Sequence, residues 1–322
     1  MKVAELARVP MAGRKSGDFR YRDEGSENSI KFRGDCTDAS EDTESSARAW
    51  QRCCPAGREL RGVMYQAYWG LSHSPFAPAA ARQLLDQQPQ CGEALARLDF
   101  LVEHKSRLGL LVGPAGGGKS LVLSEFARRQ QAAGAAAVLV NAAGSVALLG
   151  EIAAGWGCDL SAPAASSPWR QLVDRLSVLR LEQVPAVLAL DDLDQATSDS
   201  LLAVRRLVQL PEVDLTIVAA ASENGVARLG RLVDLAELRI ELAYWSADDT
   251  RDYLTASLAT AGREQPLFVD GAVRRLFELS GGAPRRVGQL AQLALIAGAG
   301  QSLAEIDGAT VAAVHNELSA AR

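Results

Sequence analysis

From residue 64 onward, short apolar runs and helical stripes alternate along the chain, whereas residues 1–63 hold no sustained period of either 3.6 or 2.0. The first apolar run, 108–112, ends in a glycine-rich turn. A helix is predicted over 119–131, with Leu121, Leu123, Phe126 and Ala127 as its inward face. A strand over 136–140 is followed by helices over 146–155 and 169–180. The run at 186–190 is led in by Pro185 and closed by Asp191-Asp192. A helix over 198–210, a strand over 215–221 and a last strand over 238–242 complete the series. Apolar runs of four to seven residues separated by helices predict a mostly parallel sheet covered on both faces, the α/β class.

After Ser246 the strand pattern stops. Helices are predicted over 248–261, 271–279, 284–297 and 308–318, a small all-helical unit. Ser246 with Asp249 three residues on resembles a capping box. The expected division is therefore a tail over 1–63, an α/β domain over 64–245 and a helical domain over 246–322.

Composition sharpens the ends of this picture. Residues 1–63 carry twelve Lys/Arg against eleven Asp/Glu, and Ser40–Ser46 is low-complexity and polar. Such a segment buries too little apolar area to offset chain entropy and is expected to be disordered. Met64 opens the patterned part, so an over-called start is the other reading of the tail. The whole chain of 322 residues is 48% hydrophobic with a formal net charge of −5, which excludes full-length disorder and attachment to nucleic acid by bulk charge alone.

Five cysteines, including the adjacent Cys53-Cys54, show neither a disulfide framework nor zinc spacing. The uncharged stretches 130–150 and 287–304 are too rich in alanine, glycine and amide residues to read as membrane spans. The N-terminus lacks the apolar core of a signal peptide. A cytoplasmic protein without a transmembrane segment is expected. His73, His104 and His315 have no ligand spacing, and the five tryptophans do not alternate with basic residues as a base-stacking platform would.

The chemistry concentrates in Gly113-Pro114-Ala115-Gly116-Gly117-Gly118-Lys119-Ser120, which fits G-x-x-x-x-G-K-[ST] between a strand and a helix. The glycines let backbone N–H groups turn toward a phosphate, and the helix N-terminus adds its dipole. Lys119 is placed to reach the β- and γ-phosphates and Ser120 to ligate Mg²⁺. With only five lysines in the chain, a chance match is rare.

Asp191 ends an apolar strand and is expected to hold Mg²⁺, directly or through water. Asp192 is expected to activate the attacking water, with Asp194 in reserve. Ser222, just after the fourth strand, reads either as a γ-phosphate contact or as an ordinary turn residue. Arg285 and Arg286 occupy the first turn of a helix, where cations oppose the dipole. A nucleotide phosphate across the domain cleft explains Arg285 better than local stability does.

Together these residues resemble the AAA+ ATPases, and more narrowly their general secretion pathway protein A (ExeA-like) branch. The resemblance covers roughly residues 64–320. It rests on Tyr68-Trp69-Gly70-Leu71 with Pro75-Phe76, on Gly113–Ser120, on Asp191-Asp192 and on Gly282-Ala283-Pro284-Arg285, in that order. It implies a P-loop NTPase fold with a helical lid, ATP and Mg²⁺ as ligands, homo-oligomerisation and conformational work on a protein client. Alternatives in the same frame are a nucleotide-gated adaptor with little hydrolysis and a DNA-associated ATPase, with Arg274, Arg275, Arg285 and Arg286 as a basic lid surface.

The chain departs from the branch at three points. Asp192 stands where the family has Glu, Ser222 where its sensor is more amide-like, and Asp234-Leu235 where it has Gln-Arg. That leaves Arg231 and Arg239 as candidates for a trans-acting arginine.

Overall fold

The computed structural model describes residues 65–77, Leu85, 88–158 and 167–320, so the expected tail over 1–63 lies outside the described residues. Five strands, β1 (Leu108–Gly113), β2 (Ala136–Asn141), β3 (Ala186–Asp191), β4 (Leu215–Ser222) and β5 (Leu238–Glu241), form one sheet. Its order is β2-β3-β4-β1-β5, and every neighbouring pair is parallel. Among the described residues this part has the helices α1 (Pro89–Glu103), α2 (Lys119–Ala132), α3 (Leu148–Gly155), α4 (Pro168–Leu181), α5 (Ser198–Val208) and α6 (Arg231–Leu235). The helical segment comprises α7 (Ala247–Thr260), α8 (Asp270–Ser280), α9 (Pro284–Gly300) and α10 (Gly308–Ala320).

The strands are apolar throughout because both faces are covered. On one face Leu110, Val112, Leu188, Leu190, Ile217 and Ala219 pack with Leu148 and Ile152 of α3, Leu172 and Leu176 of α4 and Val204 of α5. Their alternate neighbours Leu111, Val187, Ala189, Val218 and Ala220 pack with Leu95 and Leu98 of α1 and Leu123 and Phe126 of α2. The inward side of α2 includes Val122, fully buried, where the sequence pattern points to Leu121, which is half-buried. The expected helix over 146–155 starts two residues later, because Ser145 and Ala147 form a turn that leaves Val146 93% exposed.

A third core lies among the helices after Ser246, built from Leu254, Leu258, Leu276, Val287, Leu290, Leu295 and Ile306. The capping box at the start of α7 is formed, with Ser246 Oγ accepting from Asp249 N and Asp249 accepting from Ser246 N. Residues 65–77, assigned by the sequence pattern to the α/β part, bury Tyr65, Trp69 and Leu71 in this helical core instead. Trp69 Nε1 donates to Leu295 O at 2.8 Å, and Ser72 N donates to Ala261 O at 2.9 Å. The segment thus packs on helices from the far end of the chain. No helix among the described residues is long and apolar enough to cross a membrane.

Candidate functional site

In an all-parallel sheet the strand C-termini share one edge, where ligands bind at helix N-termini and switch points. Here that edge collects the ends of β1, β3 and β4. Gly113 pairs with Ser222 in register, and Leu190, one residue before Asp191, pairs with Ala219. The strand order therefore places the Gly113–Ser120 loop, the Asp191–Asp194 turn and Ser222 side by side.

The loop is folded so that most of its carbonyls accept hydrogen bonds from the protein, while of its amides after Pro114 only that of Gly117 is paired, with Pro114 O at 3.1 Å. Lys119 Nζ donates to Gly113 O at 2.9 Å and to Pro114 O at 3.0 Å. Tyr244 Oη donates to Ala115 O at 3.3 Å, and Arg285 N donates to Gly116 O at 3.4 Å. The N–H groups of Ala115, Gly116, Gly118, Lys119 and Ser120 have no acceptor among the hydrogen bonds of the described residues. Gly116 (φ +76°) and Gly118 (φ +96°) adopt left-handed backbone that L side chains avoid, and a Cβ on Gly118 would meet nothing within 4 Å. The result is a concave row of unpaired donors at the start of α2, the arrangement that binds an anion.

Lys119 is only 7% exposed and has no carboxylate within ion-pair distance among the described residues. A buried ammonium held only by carbonyls is poised for an anionic partner. Ser120 is exposed in the first turn of α2, and Asp191 is buried at the end of β3. Among the described residues no three His, Cys, Asp or Glu side chains form a cluster able to hold a metal alone. A site of this kind suits Mg²⁺, which takes few protein ligands and completes its octahedron with phosphate oxygens and water. The residues present therefore fit both a nucleotide and its metal.

Asp192 sits in left-handed backbone (φ +49°, ψ +41°), a conformation Asp tolerates better than most residues, and it begins the short turn Leu193–Gln195. Burial, with the charges of Asp191 and Asp194, pushes its carboxyl above the ordinary carboxylate range, against the opposing pull of Lys119 and Arg285. The guanidinium of Arg285 is thus electrostatically present at this edge, although it belongs to α9. Pro284 at the first helical position of α9 and the close approach of Gly116 to Arg285 bring it there.

The other expected site residues are placed as follows. Ser222 lies at the predicted strand end, but its hydroxyl proton is donated to Asp194 Oδ2 at 2.6 Å. Arg231 is exposed at the start of α6, and Arg239 pairs with Glu241 on β5 at 2.9 Å. The structure records no hydrogen bond or ion pair from either to the loop. Sequence reasoning missed Tyr244, since a single aromatic in a strand-to-helix linker carries no periodic signal. It missed the Ser222–Asp194 contact for the same reason: the two residues are 28 positions apart on different elements.

The sheet order, the strand-to-helix phosphate loop and the helical segment behind it define the fold of an AAA+ P-loop ATPase. Residues 102–227 match the AAA domain family, so the chain carries an AAA domain. General secretion pathway protein A of Aeromonas hydrophila is 26% identical over 244 residues, which cover 73% of this chain and 45% of that protein. The chain thus spans less than half the length of this relative.

Among solved structures, the ORC1 protein of Aeropyrum pernix, determined in complex with DNA, superposes with a TM-score of 0.55 at 21% identity. The match covers 74% of this chain and 69% of that one. Cdc6p of Pyrobaculum aerophilum gives a TM-score of 0.54 at 17% identity, covering 68% and 64%. These likenesses are of fold.

Proposed function

We propose that this protein binds ATP with Mg²⁺ at Gly113–Ser120 and hydrolyses it to drive conformational work on a protein partner or assembly. The observation that carries the reading is the loop in which the protein engages the carbonyls of Gly113 to Gly116 while the amides of Ala115, Gly116, Gly118, Lys119 and Ser120 and the buried Lys119 ammonium are left for an anion. In this reading the free amides of Ala115, Gly116, Gly118, Lys119 and Ser120 and the Lys119 ammonium hold the β- and γ-phosphates and stabilise charge on the transferred group. Mg²⁺, held by Ser120 and Asp191, neutralises phosphate charge when bound. Asp192 accepts the proton of the attacking water, a task that its raised basicity favours. Ser222 reports on the γ-phosphate.

Arg285 ties the γ-phosphate to the helical segment. The division into a nucleotide-binding unit over 64–245 and a lid over 246–322 belongs to the same proposal, with residues 65–77 travelling with the lid core on which they pack. Homo-oligomerisation, with an arginine supplied in trans, is what the family resemblance adds.

The test is steady-state phosphate release by the full chain with Mg²⁺ and ATP, over a protein concentration series, beside Lys119→Ala and Asp192→Asn. Turnover that rises with concentration and is lost in both variants supports a hydrolytic motor built from several subunits. Tight ATP binding with turnover no greater than that of Lys119→Ala would replace it with a nucleotide-gated adaptor. That second reading is favoured by the short Asp192 side chain and by the engaged Ser222 hydroxyl.

A further inference from the structure

At the edge of the site lies a buried carboxylate that the proposed reaction does not use. Asp194 is 5% exposed; its Oδ2 accepts the Ser222 proton at 2.6 Å, and its Oδ1 has no hydrogen-bond partner among the described residues. Ser222 Oγ also accepts from Gly225 N at 3.0 Å, while its one proton is committed to Asp194. Space for this carboxylate depends on Gly225, because a Cβ there would stand 1.9 Å from Asp194 Oδ2 and 2.5 Å from its Cβ and Cγ. Ser222 in turn pairs through its backbone with Gly113, the first residue of the phosphate loop.

A plain tie between the Leu193–Gln195 turn and the end of β4 does not explain these features. A neutral acceptor would make the same tie without leaving a buried, unpaired carboxylate oxygen, which costs stability. What a carboxylate adds is strength of hold: a hydrogen bond to an ionised acceptor is roughly twice as strong as a neutral one. An arriving γ-phosphate is also an anion and wants the same donor.

We propose that Asp194 is a positioning residue that holds the Ser222 hydroxyl in competition with the γ-phosphate, and so sets how strongly the site prefers a triphosphate over a diphosphate. The proposal rests on the reading of Gly113–Ser120 as an ATP site. With a diphosphate, Ser222 stays on Asp194. With a triphosphate, the hydroxyl rotates to a phosphate oxygen and leaves Asp194 without its donor, so part of the γ-phosphate's binding is spent on breaking this contact. No bond other than hydrogen bonds changes.

The experiment measures affinities of the full chain for ADP and for the β,γ-imido analogue of ATP by calorimetry with Mg²⁺, and takes their ratio. Asp194→Asn weakens the hold on Ser222, and the ratio of analogue affinity to ADP affinity is expected to rise about 5-fold. Ser222→Ala removes the donor, and the ratio is expected to fall by a similar factor. In the Ser222→Ala background, Asp194→Asn is expected to leave the ratio unchanged, which separates action through the hydroxyl from a general charge effect. A ratio within 2-fold of wild type in either single variant, a fall in Asp194→Asn, or a shift that persists without the hydroxyl would overturn the proposal. Should Asp194→Asn not fold, Ser222→Ala alone decides: an unchanged ratio refutes the switch. Failure of the underlying reading looks different, since wild type would then bind neither nucleotide, or Lys119→Ala would bind both as well as wild type.

Discussion

Gly282 is where the linker from the sheet meets the helical segment, and replacing it with alanine makes a sharp test of how the two are joined. Its backbone is left-handed (φ +73°), and an added Cβ would stand 2.2 Å from Trp245 O and 3.2 Å from Trp245 N and C. Real Cβ contacts essentially never fall below 3.0 Å, so the two segments would have to part by about 0.8 Å. That movement strains the Trp245 N to Gly282 O hydrogen bond of 2.9 Å.

The neighbouring Gly281 is an internal control. It too is left-handed (φ +63°), but a Cβ there meets nothing within 4 Å. Both substitutions share the left-handed penalty of about 1–2 kcal/mol. Only Gly282→Ala adds the loss of a buried hydrogen bond, roughly 1–3 kcal/mol if its partners stay unsatisfied. Gly281→Ala should therefore cost about 1–2 kcal/mol and Gly282→Ala about 2–5 kcal/mol, a gap of several degrees in melting temperature. Thermal and urea unfolding of the two variants beside wild type measure the difference. If Gly282→Ala is no more destabilised than Gly281→Ala, the linker does not pack on the helical segment as described. Since Arg285 follows three residues later, the same variant should also weaken ATP binding while Gly281→Ala spares it.

Three further outcomes follow from local geometry. Asp307 Oδ1 accepts from Thr310 N at 2.8 Å at the start of α10, and these hydrogen bonds hold its carboxyl below the ordinary range. Asp307→Ala should cost about 1 kcal/mol at neutral pH. Because the folded-state pKa is the depressed one, that advantage is present above the ordinary carboxylate pKa and fades as pH falls through the lowered value, so wild-type and variant urea midpoints should converge in acid. Asp192 has the opposite sign: its raised carboxyl makes the ionised form a burden that is absent below the unfolded pKa and grows as pH rises through the folded one. Asp192→Asn should thus raise the melting temperature at pH 8 while lowering turnover, and a lower melting temperature would argue against the charge crowding described. Trp69→Phe removes the donor to Leu295 O and should cost about 1–3 kcal/mol, measured by urea unfolding, if residues 65–77 are part of the helical core.

Much of this architecture is written in local pattern. The all-apolar strands, the glycine loop with its lysine and the helices after Ser246 stand where periodicity puts them, within a few residues, because burial on both faces of a sheet or on one stripe of a helix dictates the sequence directly. Helix α1 carries the same kind of stripe in Cys91, Ala94, Leu95, Leu98 and Leu101, and Pro89 marks its first turn although Gln88 offers no side-chain cap, so this helix was readable in the sequence though it is not among the elements predicted from it. What pattern does not encode is contact between distant segments. Trp69 reaches Leu295, Tyr244 reaches Ala115, and Ser222 is held by Asp194. Each is a single side chain meeting a group that only the folded chain brings near. The site residues were legible as types; which of their hydrogen-bonding groups are free and which are already taken was not.

The central claim is that Lys119 and the loop amides form a phosphate site. Its most direct test is calorimetric titration of the full chain and of Lys119→Ala with the β,γ-imido analogue of ATP. The account predicts saturable binding by wild type and a loss of about 30-fold or more in Lys119→Ala, corresponding to about 2 kcal/mol for a charge-assisted contact. Equal affinity in the two proteins would contradict it.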